Sequence, residues 1–144
     1  MMAGRKEGPR LFTLEEANRL LPQVKELLQQ LRAGRDEIQK LEEKKAVEEL
    51  SWLQPNGTVS PAAAAAVAEV DKLLEKAARS FEEILGKLNV LGAQLKDLEE
   101  GLVDFFAARG SEVVYLCWRE GEREIRFWHD LKSGFSGRKP LEKS

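Results

Sequence analysis

The chain has 144 residues, of which 42% are hydrophobic and 33% are charged, and its formal net charge is −2. This length is enough for one domain that buries a core without disulfide bonds, and the charged fraction is typical of long solvated helices. Because binding to phosphates needs a net cationic surface, the balanced charge argues against a nucleic-acid partner, and no apolar run is long enough to suggest a membrane partner.

The cysteine content and the amino-terminal region indicate the cellular compartment. Cys117 has no second cysteine with which to form an internal disulfide, which is the usage expected in a reducing compartment. Arg5 and Lys6 are not followed by the apolar segment of a secretory signal. We therefore expect a cytoplasmic protein.

The first predicted element is a short capped helix over residues 11–21. Thr13 and Glu16 have the spacing of a capping box, in which each side chain accepts a hydrogen bond from the backbone N–H of the other residue. Pro22 lacks a backbone donor, so the sequence predicts a bend or a fresh start there, followed by a long helix over residues 22–53.

A turn over residues 54–60 separates this helix from a second one. The segment contains proline and an Asn-Gly pair, which both favour turns. Ser60 followed by Pro61 has the pattern of an N-cap and a first helical position. The second helix is predicted over residues 61–100, with Gly101 as the left-handed residue that ends it.

The second helix carries the clearest periodic pattern in the chain. Its apolar residues step by four and three through Ala63, Val67, Val70, Leu74, Ala77, Phe81, Ile84, Leu88, Leu91, Leu95 and Leu98. This 3.5-residue repeat is typical of a coiled coil, so the two helices are expected to pair as a long antiparallel hairpin, which brings the N-terminal helix beside the C-terminal third. Leu73, Leu85 and Val90 widen the stripe beyond what one partner helix needs, which favours self-association.

After Gly101 the apolar period changes to two, which is the period of β-strands. Strands are predicted over residues 102–106, 113–119 and 124–128. They form a sheet over residues 102–129, and a tail follows over residues 130–144. The predicted fold is a mostly helical α+β single domain (residues 1–144): a long antiparallel, coiled-coil-like hairpin with a short N-terminal helix and a three-stranded antiparallel sheet at its open end.

A tight turn after the second strand would make the last two strands a hairpin and fix their faces. The outer face would then carry Tyr115, Cys117, Arg126 and Trp128. Aromatic residues with arginine are typical of an interface hot spot, although ordinary cross-strand pairing accounts for them equally well. In the same register Cys117 and His129 lie on opposite faces, so we expect no Cys–His site.

Several short segments at the two ends of the chain form recognisable motifs. They are Phe12–Asn18, Leu20–Pro22, Lys96–Asp97, Gly101–Phe105, Leu116–Trp118, Gly121–Glu122, Trp128–His129, Gly134–Phe135 and Arg138. With these motifs the chain resembles the prokaryotic domain of unknown function 2203 family over nearly its whole length. The resemblance implies no activity and no functional residue, but it suggests that the two ends brought together by the hairpin form one functional surface.

Two functions remain open from the sequence. The first is a non-enzymatic interaction or assembly domain that forms homo-oligomers, with any protein partner on the outer sheet face. The second is a small-molecule-binding or hydrolytic domain with a site around His129, because polar groups from both chain ends converge there near aromatic residues. The candidate binding surface comprises Glu16, Asn18, Asp97, Asp104, Tyr115, Arg126, Trp128 and His129. The sequence indicates no catalytic residue, no cofactor and no metal. It leaves open whether His129 is structural or functional and whether carboxylates near it hold a cation.

Overall fold

A computed structural model describes residues 9–142 of the chain. The elements are α1 (Leu14–Leu50), α2 (Pro61–Leu91), β1 (Gln94–Asp97), β2 (Leu102–Arg109), β3 (Glu112–Arg119), β4 (Phe127–His129), a 3₁₀ turn (Phe135–Gly137) and β5 (Lys139–Pro140). The α+β class and the two long helices are confirmed, but the sheet has five strands, so the prediction of three is wrong. Within residues 9–142, neither helix combines the length and the apolar character needed to cross a bilayer.

The chain divides into two compact units. The hairpin unit comprises Gln29–Gly86, and the sheet unit comprises the residues up to Leu28 together with those from Lys87 onward. The sheet unit therefore contains all five strands, the beginning of α1 and the end of α2. The predicted proximity of the N-terminal helix to the C-terminal third is confirmed within this unit.

Helix α1 begins at the predicted capping box and continues past the proline. The N–H of Thr13 donates to Oε1 of Glu16 at 2.9 Å, and the N–H of Glu16 donates to Oγ1 of Thr13 at 3.1 Å. The helix then runs through Pro22 without interruption, so the predicted separate helix over residues 11–21 is wrong. Pro22 is exposed, and a proline inside a helix leaves one backbone carbonyl without its helical donor.

The hairpin unit holds α1 and α2 antiparallel. Nζ of Lys45 lies 2.8 Å from Oδ1 of Asp71. A Cβ on Gly34 would lie 3.3 Å from the ring of Phe81, so this glycine allows the two helices to approach closely. Position along α1 rises as position along α2 falls, which is the arrangement predicted for the hairpin.

Helix α2 begins as predicted but ends earlier than predicted. Oγ of Ser60 accepts a hydrogen bond from the N–H of Ala63 at 3.3 Å, which confirms the N-cap. The helix ends at Leu91 because Gly92 adopts a φ of 96°. A Cβ on Gly92 would lie 2.1 Å from the ring of Phe12, so the position also needs glycine for space.

The residues that follow Gly92 form β1 rather than the last turns of the helix. Leu95 pairs with Val103 of β2, so the predicted helix over residues 61–100 is wrong in its final part. Gly101, with a φ of 71°, lies in the turn between β1 and β2. Gly92 and Gly101 are both suited to end a helix, because each takes a positive φ. Apolar periodicity alone does not show which of them does so.

One face of the sheet packs on the helices and forms the core of the sheet unit. Its buried residues on the two longest strands are Val103, Phe105, Ala107, Val114, Leu116 and Trp118. The ring of Phe12 packs edge-to-face on the ring of Phe105 at a centroid distance of 5.4 Å. The backbone N–H of Phe12 donates to the carbonyl of Phe106 at 2.7 Å. On β3, Val114, Leu116 and Trp118 therefore form the side of the strand that faces the helices.

Candidate functional site

The register of the middle strands places three reactive side chains on the sheet face away from the helices. Asp104 of β2 is paired with Cys117 of β3, and His129 of β4 is paired with Tyr115. Because side chains alternate between faces with a period of two, all four share one face. Asp104, Cys117 and His129 are buried, and their ligand atoms all lie within 4.8 Å of one another. We call these three residues the Asp–Cys–His cluster.

The predicted placement of Cys117 and His129 on opposite faces is therefore wrong. It assumed a tight turn directly after β3, whereas residues 120–126 form a longer connection before β4 begins. Glu122 folds back on the end of β3, where its carboxylate accepts a hydrogen bond from the N–H of Arg119 at 2.8 Å. A register shift of one residue moves every side chain of a strand to the other face of the sheet. The predicted register of β4 against β3 differs from the observed one by such a shift.

Both ring nitrogens of His129 lie near oxygen atoms. Nδ1 lies 2.8 Å from the carbonyl oxygen of Asp130, which can only accept, so Nδ1 carries a hydrogen and donates it. Nε2 lies 2.9 Å from Oδ2 of Asp104. A hydrogen bond between these two atoms needs one proton, carried by either the carboxyl or the imidazole, and the Asp104–His129 pair has zero net charge in both cases.

Burial changes the acid–base behaviour of the cluster. Removal from water raises the pKa of Asp104, and the neighbouring His129 opposes this shift only in part. Burial, together with the adjacent Asp104 carboxylate, raises the pKa of Cys117 to about 12. The Cys117 thiol is therefore protonated at neutral pH, and it donates toward Asp104.

The cluster forms one wall of a cavity of about 120 Å³. The segment after β4 supplies another wall through Leu131, Ser133, Gly134 and Phe135. Tyr115 also lines the cavity, and its hydroxyl donates to Oε1 of Gln94 at 3.1 Å. Lys96, an exposed cation, completes the polar part of the lining, with Nζ 4.4 Å from the centre of the Tyr115 ring.

An arginine holds the segment that covers this face. The guanidinium of Arg138 lies 3.8 Å from the ring centre of Phe127 and 4.4 Å from that of Phe135. Its NH2 group also pairs with Oε2 of Glu122 at 2.5 Å. These contacts tie the residues just before β5 to the end of β3 and to β4, so the cavity keeps its outer wall.

The order of the groups argues against nucleophilic catalysis by Cys117. In a thiol or hydroxyl catalytic set the base contacts the nucleophile, and a carboxylate contacts the base on its far side. Here the carboxylate of Asp104 lies in the middle, between the thiol and Nε2 of His129. A thiol with a raised pKa is also a poor nucleophile. The cluster instead offers one oxygen, one sulfur and one nitrogen that suit a metal ion.

The structure brings together three of the eight predicted site residues, because Asp104, Tyr115 and His129 all line the cavity. Glu16 does not, since its carboxylate closes the capping box at the start of α1. Asn18 does not either, since Oδ1 of its side chain accepts a hydrogen bond from the N–H of Ile125 at 2.8 Å. This contact fixes the connection between β3 and β4 to helix α1.

The other three predicted residues also have separate contacts. Asp97 accepts a hydrogen bond from a backbone N–H in the turn after β1 at 3.0 Å. Arg126 pairs with Glu124 at 3.7 Å. Trp128 lies on the helix-facing side of the sheet, where the guanidinium of Arg109 stands 4.3 Å from its ring centre. The predicted shared outer face of Tyr115 and Trp128 is therefore wrong.

Seven of the ten residues that line the cavity were absent from the predicted site, among them the cation Lys96 and the thiol Cys117. A signal for Cys117 was present in the sequence. Gly110 and Ser111 form the turn between β2 and β3, with Gly110 at a φ of 63°, and a two-residue turn there pairs Asp104 with Cys117. The position of His129 carried no such signal, because the connection before β4 is long and irregular.

The fold and the site define a mostly helical α+β protein with a buried Asp–Cys–His cluster that lines a cavity on its sheet. Residues 10–141 match the model of the family described as uncharacterized conserved protein (DUF2203), and the chain belongs to this family. The resemblance noted at the two ends of the sequence is thus confirmed. No curated protein and no solved structure matches the chain.

Proposed function

We propose that this protein binds a small polar molecule in the cavity beside the Asp–Cys–His cluster. The observation that carries this proposal is a buried Asp104–His129 pair that adjoins open space instead of packed side chains. A purely structural pair needs hydrogen bonds but no adjoining cavity, whereas binding sites combine a concave space with a few convergent polar groups. We place this function in the cytoplasm, where the free thiol of Cys117 stays reduced.

The size and charge of the cavity limit its ligand. A volume of about 120 Å³ accepts a molecule of roughly five non-hydrogen atoms, by comparison with a cavity of about 150 Å³ that holds benzene. The ammonium of Lys96 favours an anionic group at the cavity mouth, while Asp104 and Tyr115 offer hydrogen-bonding groups inside. A small carboxylic acid or amino acid meets both requirements.

A titration monitored by NMR tests this function. Full-length protein labelled with ¹⁵N is treated with a chelator and then titrated with acetate and, separately, with glycine. We expect saturable shifts of the amide signals of Lys96, Tyr115 and Leu131. The Ser133→Leu variant, which fills the cavity, should lose these shifts, whereas Ser136→Leu, in the same segment but outside the cavity lining, should keep them. Shifts that are absent, or that are equal in both variants, would contradict the proposal.

We also propose self-association of the hairpin unit into a coiled-coil-like homo-oligomer. Val47, Leu50 and Leu53 are 61%, 85% and 68% exposed, and apolar groups so exposed near one helix end are typical of a contact between copies. Sedimentation velocity over a wide concentration range should show dimers or larger species. Leu50→Glu should shift the protein toward monomer and Glu49→Gln should not. A monomer at every concentration would refute self-association.

A further inference from the structure

We propose that the Asp–Cys–His cluster is a zinc site in which Asp104, Cys117 and His129 each supply one ligand atom. This inference rests on the proposed function, because the ion would sit in the wall of the same cavity. It departs from the expectation, based on sequence, that the chain has no metal ligand. That expectation depended on placing Cys117 and His129 on opposite faces of the sheet, and on the lack of a second cysteine or histidine in the sequence.

The donor set selects the class of metal. Zinc binds cysteine sulfur, histidine nitrogen and carboxylate oxygen, often with three protein ligands and one position left for another molecule. Magnesium and calcium take oxygen ligands almost exclusively, and Asp104 is the one carboxylate among the residues that line the cavity. The cluster therefore fits a borderline-soft divalent ion, with its remaining position toward the cavity.

The separations of the ligand atoms are close to those of a tetrahedral zinc site. Bonds of about 2.0–2.3 Å at tetrahedral angles place ligand atoms about 3.3–3.6 Å apart. In the cluster the ligand atoms lie within 4.8 Å of one another, and Nε2 of His129 lies 2.9 Å from Oδ2 of Asp104. Side-chain movements of about 1 Å are therefore enough to close the site around an ion. Paired strands hold all three residues.

The surroundings of His129 have the arrangement found around metal-bound histidines. Such a histidine donates its second ring N–H to a carbonyl or carboxylate, which fixes the ring and leaves the other nitrogen for the metal. His129 does this through Nδ1 and the carbonyl of Asp130. The Asp130 carboxylate accepts hydrogen bonds from the N–H groups of Lys132 and Ser133 at 3.0 and 2.6 Å. The carbonyl that orients the ring is thus part of a fixed turn.

Zinc binding leaves the buried site electrically neutral. Without metal, the Asp104–His129 pair shares one proton and the Cys117 thiol holds another, so the cluster has no net charge. Coordination needs a carboxylate, a thiolate and a neutral imidazole. One Zn²⁺ therefore enters as two protons leave, and its two positive charges match the two anionic ligands. Neutrality matters because an uncompensated buried charge is strongly unfavourable.

Metal titration of the full-length protein tests this inference directly. Protein stripped with a chelator is titrated with zinc alone by calorimetry in two buffers of different ionisation enthalpy. We expect one ion per chain, about two protons released per ion, and no competition from magnesium. In a parallel titration with cobalt, a thiolate-to-metal charge-transfer band and the visible bands of four-coordinate cobalt should appear.

Variants identify the ligands. Cys117→Ser should abolish the charge-transfer band, and Cys117→Ser, Asp104→Asn and His129→Gln should each weaken zinc binding by more than about a hundredfold. Asp97→Asn is the matched control, because it neutralises an exposed carboxylate of the same sheet. It should bind zinc like the parent chain. If a variant of one of the three metal ligands fails to fold, the cobalt spectrum of the parent chain still shows whether a thiolate binds the metal.

The outcomes separate this inference from the proposed function. Zinc binding that is absent, or that persists unchanged in the Cys117 and His129 variants, overturns the zinc site. Acetate or glycine shifts in chelator-treated protein would then still support ligand binding in the cavity. Conversely, zinc binding with the expected cobalt spectrum, but without those shifts, supports the metal site and removes the support for a ligand of the metal-free protein.

Discussion

At the scale of single residues, the surroundings of Cys117 in the sheet unit suppress ionisation of its thiol. It is buried, and burial beside Asp104 raises the pKa of its thiol to about 12, against an ordinary value of 9.0. A difference of three units leaves about a thousandfold less thiolate at any pH below 9, and the thiolate is the form that reacts.

We therefore expect Cys117 to resist alkylation in the folded protein. With a chelator present, iodoacetamide should label the native protein at least about a thousandfold more slowly than the guanidinium-unfolded protein at pH 7. Because the pKa is raised, protection should hold up to pH 9 and decline only as the pH rises toward 12. Equal labelling rates before and after unfolding would show that the thiol is neither buried nor neutral.

Asn18 is one of the predicted binding residues that the structure places in a structural contact instead. Its Oδ1 accepts a hydrogen bond from the buried N–H of Ile125. Asn18→Ala leaves that donor without a partner, which should lower the free energy of unfolding by about 1–3 kcal/mol. Asn18→Asp keeps the acceptor oxygen and should retain most of the stability. Urea unfolding monitored by circular dichroism measures both, and a neutral Asn18→Ala would mean that the contact is dispensable.

At the scale of elements, local chemistry predicted the beginnings of helices better than their ends. The capping box of Thr13 and Glu16 marks the start of α1, and the N-cap Ser60 followed by a proline marks the start of α2. The end of α2 depended on which of two glycines stops the helix, since Gly92 and Gly101 both take a positive φ, and Leu95 fits both a helical stripe and a strand. That choice is made by packing of Gly92 on Phe12, which no local pattern contains.

Gly92→Ala tests this account of the end of α2. A side chain there must adopt a φ near 96° and would meet the Phe12 ring at 2.1 Å. We expect a loss of at least about 2 kcal/mol of unfolding free energy. Gly86→Ala, inside α2, is the matched control. A Cβ there would meet no side chain and no backbone of another element within 4 Å. It should raise stability by up to about 1 kcal/mol. Two variants of equal stability would refute the steric explanation.

At the scale of the whole molecule, the sequence predicted the α+β class and the region of the site but not the cluster itself. The register of β2 against β3 could be predicted from local sequence, because the two-residue turn that contains Gly110 sets it. The position of β4 depends on long-range contacts, because Asn18 holds Ile125 from a helix more than a hundred residues earlier. The position of Cys117 and His129 on the same face of the sheet follows from those contacts, so periodicity alone could not predict it.

The division into two units predicts where the molecule tolerates change. The turn over residues 54–60 lies in the hairpin unit and supplies no residue to the cavity, and lengthening a loop costs little because closure entropy grows only logarithmically. Insertion of several Gly and Ser residues after Gly57 should therefore leave Cys117 protected from iodoacetamide. Deletion through Leu21 removes Phe12 and Asn18, whose hydrogen bonds tie the chain start to β2 and to the connection before β4. That deletion should expose the sheet core and abolish the protection, whereas the reverse result would place the essential contacts of the sheet in the hairpin unit.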